Sequence, residues 1–308
     1  MRIGTRRSAL ALAQANFIAG LIGDCEIVPI LTSGDADARA GGRTDGTDAD
    51  KSRWVVELED ALGTGEVDLA VHSAKDVPGE LAEGLALIGS PARAAAEDVL
   101  CGVASLDELA EGARVGTSSI RRVAQLRAAR EDLDVVSLRG NVDTRLSKLA
   151  NVDEGLDAIV LARAGLQRLG QEAEIGGVLD AERFVPAPGQ GALALEGRAD
   201  DERVTQAVLA ITDARTFACL LAERALAREL GASCHTPLGA HAVAVDDGRL
   251  ELRAWVGLPD GSAWVVDELG GDREDPEALG RHVAERMNTA GAGDLLRRAE
   301  EMASVSGA

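Results

Sequence analysis

Guanidinium groups gather in this chain where a receptor for anions would need them. Over residues 114 to 148, Arg114, Arg121, Arg122, Arg127, Arg130, Arg139, Arg145 and Lys148 stand against only Glu131, Asp132, Asp134 and Asp143, in a chain of net charge -20. Pairing along a helix surface accounts for Arg127 and Arg130 beside Glu131 and Asp132. The remaining arginines sit at one kind of place. Arg6 and Arg7 follow the first expected strand, Arg121 and Arg122 follow Val115-Gly-Thr-Ser-Ser119, and Arg139 and Arg145 flank Gly140-Asn141. All are strand-to-helix junctions, where open α/β sheets bind ligands and new helices present unpaired N–H groups to anions. Thr117, Ser118 and Ser119 suit a helix cap. Guanidinium forks match carboxylates bidentately, so several converging forks favour a small ligand with several acid groups. A phosphate ligand stays open, although the G-x-x-x-x-G-K-[ST] loop is absent.

A second junction, Val71-His72-Ser73-Ala74-Lys75-Asp76-Val77-Pro78, places Lys75 and Asp76 just past a buried strand. Asp76 is the acid–base candidate, able to stabilise a cation and carry a proton if partly desolvated. An isolated Asp in a polar turn before Pro is more often only a turn residue. His72 reads as structural. His235, His241 and His282 have no metal-ligand spacing, so no metal site is expected. Cys234 lies in Gly231-Ala-Ser-Cys-His-Thr-Pro-Leu-Gly239, after a long helix that Gly231 would end. A loop thiol can be an attachment point or a nucleophile, whereas Cys219 on the helix face reads as core.

The elements that position these residues alternate. Arg2 to Gly4, Glu26 to Leu31, Val67 to Val71, Leu85 to Ile88, Arg114 to Gly116, Asp134 to Leu138 and Ala158 to Leu161 read as strands. Ser8 to Ile22, Trp54 to Leu62, Ser119 to Ala129, Val142 to Leu149 and Ala164 to Leu169 carry helical apolar spacing. That alternation predicts an α/β fold with mainly parallel sheet. After Gly197 the pattern changes to helices at Asp201 to Ile211 and Asp213 to Leu230. Strands near Ala240 to Val245, Leu250 to Val256 and Ala263 to Leu269, with a helix at Pro276 to Asn288, then predict a small α+β unit. The Gly- and Asp-rich stretch from Ser33 to Arg53 is aperiodic and reads as a surface loop.

Composition sets outer limits. With 308 residues, 46% of them hydrophobic, the chain can bury two or three cores. The net charge argues against nucleic acid as a partner. No apolar run is long enough to span a membrane. The N-terminus shows no cleavage-like site, and the four cysteines show no C-x-x-C spacing. A cytoplasmic protein with free thiols is expected, and nothing demands more than a monomer.

Taken in order, these motifs resemble the hydroxymethylbilane synthase, or porphobilinogen deaminase, family over almost the whole chain. The resemblance rests on Arg2-Ile-Gly-Thr-Arg-Arg-Ser-Ala-Leu-Ala11, Val71 to Pro78, Val115-Gly-Thr-Ser-Ser-Ile-Arg-Arg122, Ser137-Leu-Arg-Gly-Asn-Val-Asp-Thr-Arg-Leu-Ser-Lys148, Pro186-Ala-Pro-Gly-Gln-Gly191 and the Cys234 loop. It implies a transferase of tetrapyrrole biosynthesis that condenses four porphobilinogens head to tail, loses ammonia at each step and releases hydroxymethylbilane with water. It implies a dipyrromethane cofactor held through a thioether to Cys234, with Asp76 at the pyrrole nitrogens. Arg6, Ser8, Lys51, Lys75, Thr117, Ser119, Arg121, Arg122, Arg139, Arg145 and Arg168 would bind the acetate and propionate groups of cofactor and substrate.

The family fold implies three domains: two similar, hinged α/β domains like those of periplasmic binding proteins, and a small α+β domain bearing the cysteine. Residues 1–91 with about 191–208 would form the first, 92–190 the second and 212–308 the third. The chain departs from the family at Lys51-Ser52-Arg53-Trp54, where Lys-x-Leu-Phe is common, and at Gly-Ala-Ser-Cys in place of Gly-Gly-Cys. A non-enzymatic ligand-binding module and a thiol hydrolase are the alternatives, and neither needs both Asp76 and Cys234. The acidic bias, with lysine confined to Lys51, Lys75 and Lys148, suggests a chain kept soluble at high salt. Desalting should then lower turnover reversibly across a potassium chloride series, whereas full turnover without salt would refute that adaptation.

Overall fold

The structure is a computed structural model that describes residues 1–32, 55–232 and 236–306. Its first sheet runs β2 (Glu26–Ile30), β1 (Arg2–Arg6), β3 (Leu69–Ser73), β10 (Leu193–Arg198), β4 (Leu85–Gly89). The second runs β7 (Asp134–Val136), β6 (Arg114–Gly116), β8 (Ala158–Ala162), β5 (Asp98–Cys101), β9 (Gly177–Val178). Both sheets follow one plan. The strands β2-β1-β3 and β7-β6-β8 pair in parallel, as alternation with helices requires. An antiparallel strand then follows, β10 in one and β5 in the other, and the outermost strand pairs with that.

Helices cover both faces of the first two sheets. Ala15 and Ile18 of α1 (Ala9–Ile22) and Val204 and Val208 of α6 (Glu202–Leu209) pack with Ile3, Leu69, Val71, Leu193 and Leu195. On the other face α2 (Val56–Gly63) brings Leu58, Ala61 and Leu62 onto Val67 and Ala70. In the second unit Leu126 of α3 (Ile120–Ala129) packs with Val115, Val160 and Phe184. Leu146 and Leu149 of α4 (Val142–Ala150) and Leu166 of α5 (Arg163–Arg168) pack with Leu138, Ile159 and Leu161 on the opposite face.

The third unit is an antiparallel sheet of β11 (Leu238–Ala244), β12 (Arg249–Gly257) and β13 (Trp264–Asp272). Three helices, α7 (Ala214–Glu229), α8 (Pro276–Thr289) and α9 (Ala292–Ser306), share its core through Ala222, Leu226, Val283, Met287 and Leu295. Cys219 lies in that core, and burial pushes its thiol up to about 11. Helices α7 and α8 touch closely, since a Cβ on Gly280 would lie 2.3 Å from the Ala222 carbonyl oxygen.

The three units meet where the chain crosses between the first two sheets, in the segments 90–97 and 186–192. Glu223 of α7 is fully buried there. Its carboxylate accepts from Arg93 Nη1 at 2.6 Å, Gly189 N at 2.6 Å and Ala242 N at 2.7 Å, while Arg93 Nε donates to the Gln190 carbonyl at 2.8 Å. One carboxylate thus ties both crossings to the third unit. Removing it leaves a nearly buried guanidinium without its anion. Glu223→Ala should therefore cost about 3–5 kcal/mol of stability, read as a fall in thermal midpoint and in the denaturant midpoint.

Candidate functional site

The loops beyond β3 and β6 open into a cleft of about 700 Å³. Lys75 and Asp76 reach it from the short 3₁₀ turn Ala74–Asp76 that ends β3. Ser119, Arg121 and Arg122 reach it from the start of α3, and Arg145 reaches it from α4. Gln190 enters from the second crossing, and Arg224 and Arg228 line the wall formed by α7. Ala232 and Thr236, the described residues on either side of 233–235, line it too.

Arg121 and Arg122 are buried, at 3% and 6% exposure. Paired guanidinium groups tolerate burial only with an anion and enough carbonyls. Asp98, the first residue of β5, supplies the anion: Arg121 Nη2 lies 2.8 Å from Oδ2 and Arg122 Nη2 lies 2.7 Å from Oδ1. Arg121 Nη1 also donates to the Val185 carbonyl at 2.8 Å and Arg122 Nη1 to the Val160 carbonyl at 2.9 Å. Burial by itself would raise the Asp98 carboxyl, but the two arginines outweigh it and hold it well below the usual carboxylate range. One anion between two cations leaves the cluster positive.

Two more cations add to it. Burial pulls Lys75 down to about 8, helped by Arg122 and opposed by Asp76 and Asp98. Burial and Arg122 likewise bring Arg145 down to about 10, and its Nε donates to the Gly140 carbonyl at 2.8 Å. Ser119 caps α3 by position but makes no side-chain cap bond, and Ser119 and Ile120 at the start of this helix line the cleft. Helices α1 and α4, which follow β1 and β7, differ in this. Ser8 caps α1 through Ala11 N, and Asn141 caps α4 through Thr144 N.

Of the residues singled out in the sequence, Lys75, Asp76, Ser119, Arg121, Arg122 and Arg145 share this cleft. Arg6 and Ser8 line a smaller adjoining cavity of about 60 Å³ that Asp76 also lines. Thr117 is buried beneath the loop, its hydroxyl accepting from Ser119 N at 3.3 Å. Arg139 is exposed after β7 and does not line the cleft. Arg168 donates to the Gly191 carbonyl at 2.6 Å, bracing the crossing from outside the cleft lining. Lys51, Trp54 and Cys234 lie outside the described residues, as does the stretch from Ser33 to Arg53. Arg130 pairs with Asp132 at 2.6 Å, whereas Arg127 reaches away from its helix to the Pro259 carbonyl at 3.2 Å. His72 is buried beside Glu196 at 2.9 Å, a structural pair.

Sequence reasoning missed Asp98, Gln190 and Arg224. Asp98 is a lone acid heading a short apolar run, a signal too brief to read. Gln190 was inside a quoted motif but carried no role. Arg224 and Arg228 are four apart on α7, a spacing that puts them on one face. Arg224 donates to the carbonyls of Pro78 at 2.8 Å and Gly79 at 3.1 Å, clasping the turn after Asp76.

Fold and cleft together define a three-unit α/β protein with an internal cleft whose charged lining is six cations and one acid, Asp76. Residues 1–206 match the family described as "Porphobilinogen deaminase, dipyromethane cofactor binding domain", and residues 217–289 match "Porphobilinogen deaminase, C-terminal domain". The chain is 47% identical over 313 residues to the porphobilinogen deaminase of Xanthomonas euvesicatoria pv. vesicatoria, covering 96% of this chain and 98% of that one. It is 43% identical to that of Brevibacillus brevis over 308 residues, covering 96% of each. It is 42% identical to that of Deinococcus radiodurans over 308 residues, covering 97% and 98%. The chain belongs to the porphobilinogen deaminase family. Among the described residues no single helix is long and apolar enough to cross a membrane.

The Lys75 ammonium should set a pH limit on anion binding in this cleft. It is charged below about 8 and loses its proton as pH rises through that value, so carboxylate affinity should be full at pH 7 and weaken above 8. Calorimetric titration of a tricarboxylate such as citrate between pH 6.5 and 9 should show about a tenfold loss, the worth of one charge-assisted hydrogen bond. Lys75→Met should flatten that dependence, and an unchanged slope would remove Lys75 from the receptor.

Proposed function

We propose that this chain is a hydroxymethylbilane synthase: it joins four porphobilinogens head to tail and releases the linear product with water. The observation that carries this reading is one carboxylate, Asp76, in a cleft whose other charged walls are Lys75, Arg121, Arg122, Arg145, Arg224 and Arg228. Each porphobilinogen bears an acetate and a propionate, the ligand class that such a surplus of cations selects.

A dipyrromethane, with two pyrroles and four carboxylates, fits the same walls. Lys75, Arg121, Arg122 and Arg145 would hold its acid groups, with the positive end of α3 at Ser119 and Ile120 in the same wall. Cys234 would carry it through a thioether. This is supported by Ala232 and Thr236, each two residues away and each in the cleft wall. When bound, the dipyrromethane supplies the nucleophilic carbon that starts the chain.

The remaining work belongs to the protein. In each condensation the aminomethyl C–N bond breaks, ammonia departs, a C–C bond forms to the methylene carbon left behind, and the attacking pyrrole α-carbon gives up a proton. Asp76, just past the end of β3, would stabilise positive charge at the pyrrole nitrogen and take part in moving that proton. Arg121 and Arg122 keep a net positive charge that orients the substrate acid groups before reaction. Arg224 fixes the carbonyls after Asp76 and so holds its turn in place. Arg6 and Ser8 would complete the far side of Asp76, and Arg139, Arg168, Thr117 and Lys51 would likewise bind acid groups of cofactor or substrate. The same reading takes residues 1–91 with 191–208, 92–190 and 212–308 as three domains of a cytoplasmic monomer.

Intact-protein mass spectrometry should show an adduct of two linked pyrrole units that maps to Cys234 and is absent in Cys234→Ser. An active protein of unmodified mass would overturn the cofactor assignment. Asp76→Asn should keep the adduct-bearing fold and lower turnover about a hundredfold or more; near-normal turnover would reject its role. Arg145→Leu should impair elongation at a cost of about 2–5 kcal/mol, whereas Arg127→Leu, outside the cleft, should leave elongation near normal.

A further inference from the structure

Gln190 is fully buried, yet it lies between charged groups of two units. Its side-chain Nε2 donates to Asp98 Oδ1 at 2.8 Å and to the Ala96 carbonyl at 2.7 Å. Its Oε1 accepts from Lys75 Nζ at 3.3 Å. The amide orientation is therefore fixed by chemistry, because a carboxylate and a carbonyl can only accept, and an ammonium can only donate. The backbone around it is pinned as firmly. Gly189 N is held by Glu223, the Gln190 carbonyl by Arg93 and the Gly191 carbonyl by Arg168. The φ of +87° at Gly191, and a Cβ that would fall 2.5 Å from the Ala94 carbonyl oxygen, make glycine obligatory next to it.

We infer that Gln190 is a positioning residue: its amide registers Lys75 of the first unit on the Asp98–Arg121–Arg122 cluster of the second, coupling the charge state of Lys75 to that cluster. A structural filler would need neither a donor toward Asp98 nor an acceptor toward Lys75. An apolar side chain of the same length, as in Gln190→Met, would leave both groups short of a partner. A carboxylate, as in Gln190→Glu, would give Lys75 an anion and face Asp98 with like charge. The two substitutions should thus move Lys75 in opposite directions, which loss of packing alone would not do. The coupling stands on geometry. It rests on the proposed reaction only for its kinetic consequence, that porphobilinogen carboxylates meet a Lys75 already aligned with the arginines.

The test uses the scarcity of lysine, since Lys51, Lys75 and Lys148 are the only three in the chain. Acetylation of each by acetic anhydride, read by peptide mass spectrometry across pH 6 to 11 in the full chain as purified, gives the titration of Lys75 directly. The wild type should titrate near 8. Gln190→Glu should move the midpoint up and Gln190→Met should move it down, each by about one unit, while Lys51 and Lys148 stay fixed. One pH unit is a tenfold change in the protonation equilibrium. Midpoints that stay put, or move the same way in both variants, overturn the coupling, as does failure of both variants to fold. In parallel, KM for porphobilinogen at pH 8 should rise about tenfold in Gln190→Met, with kcat little changed. A wild type that consumes no porphobilinogen would sink the proposed reaction and leave the Lys75 titration to decide the coupling alone.

Discussion

A single buried carboxylate underlies two buried guanidinium groups, and the architecture around the cleft follows from keeping that arrangement. Arg121 and Arg122 are adjacent on the first turn of α3, so their side chains project from neighbouring positions and repel. Taken out of water without an anion they would unfold the segment; with an anion each they would be neutral and unable to attract a ligand. Asp98 satisfies both with one charge. It does so from the start of β5, which runs antiparallel beside β8. The carbonyls of Val160 and Val185 take further N–H groups, so hydrogen bonding is supplied without more negative charge.

The same chemistry is balanced differently a short distance away. Arg93 and Glu223 are matched one to one, and Glu223 also takes two backbone N–H groups. That knot is electrically complete, as a joint between three units should be. In the cleft, Lys75, Arg121, Arg122 and Arg145 stand with Asp76 as the lining acid and Asp98 behind Arg121 and Arg122, and the balance is left positive. On the proposed reading a polycarboxylate ligand would complete it, so binding should also stabilise the folded state through linkage. The net charge of -20 sharpens the contrast, since the surface repels the anions that the cleft attracts.

Much of the scaffold was legible because its signals are local. Val67 to Val71, Arg114 to Gly116 and Ala158 to Leu161 are short buried runs bounded by turns, and the amphipathic segments between them form helices as their spacing predicts. Three strands escaped, for physical reasons. Asp98–Cys101 is four residues long and begins with an acid, Gly177–Val178 is only a bridge, and Leu193–Arg198 carries Glu196 and Gly197 inside a buried run. Helix Ala292–Ser306 follows α8 after only two residues, with Gly291 at a φ of +101° making the break. At the site, the ligand class could be read from residue type, whereas partners could not. Nothing near Arg121 in sequence announces Asp98, and junction logic grouped Arg139 with Arg145 although only Arg145 turns into the cleft. Cys234, singled out from its motif, lies outside the described residues.

The placement of the cleft follows from the way the chain is threaded. Strand β10 enters the first sheet between β3 and β4 only after the whole second unit has been traversed, so the first sheet cannot close locally. Two segments must therefore cross side by side, and they pair where Ala94 N donates to the Gly191 carbonyl at 3.2 Å. Backbone buried at such a crossing cannot join a sheet and must find other partners. Here charged side chains supply them, Glu223 at Gly189, Arg93 at Gln190 and Arg168 at Gly191. The crossing thus brings groups from all three units into contact. A receptor assembled at that point has cations from separate units around one ligand, and its geometry holds only while the units stay in register.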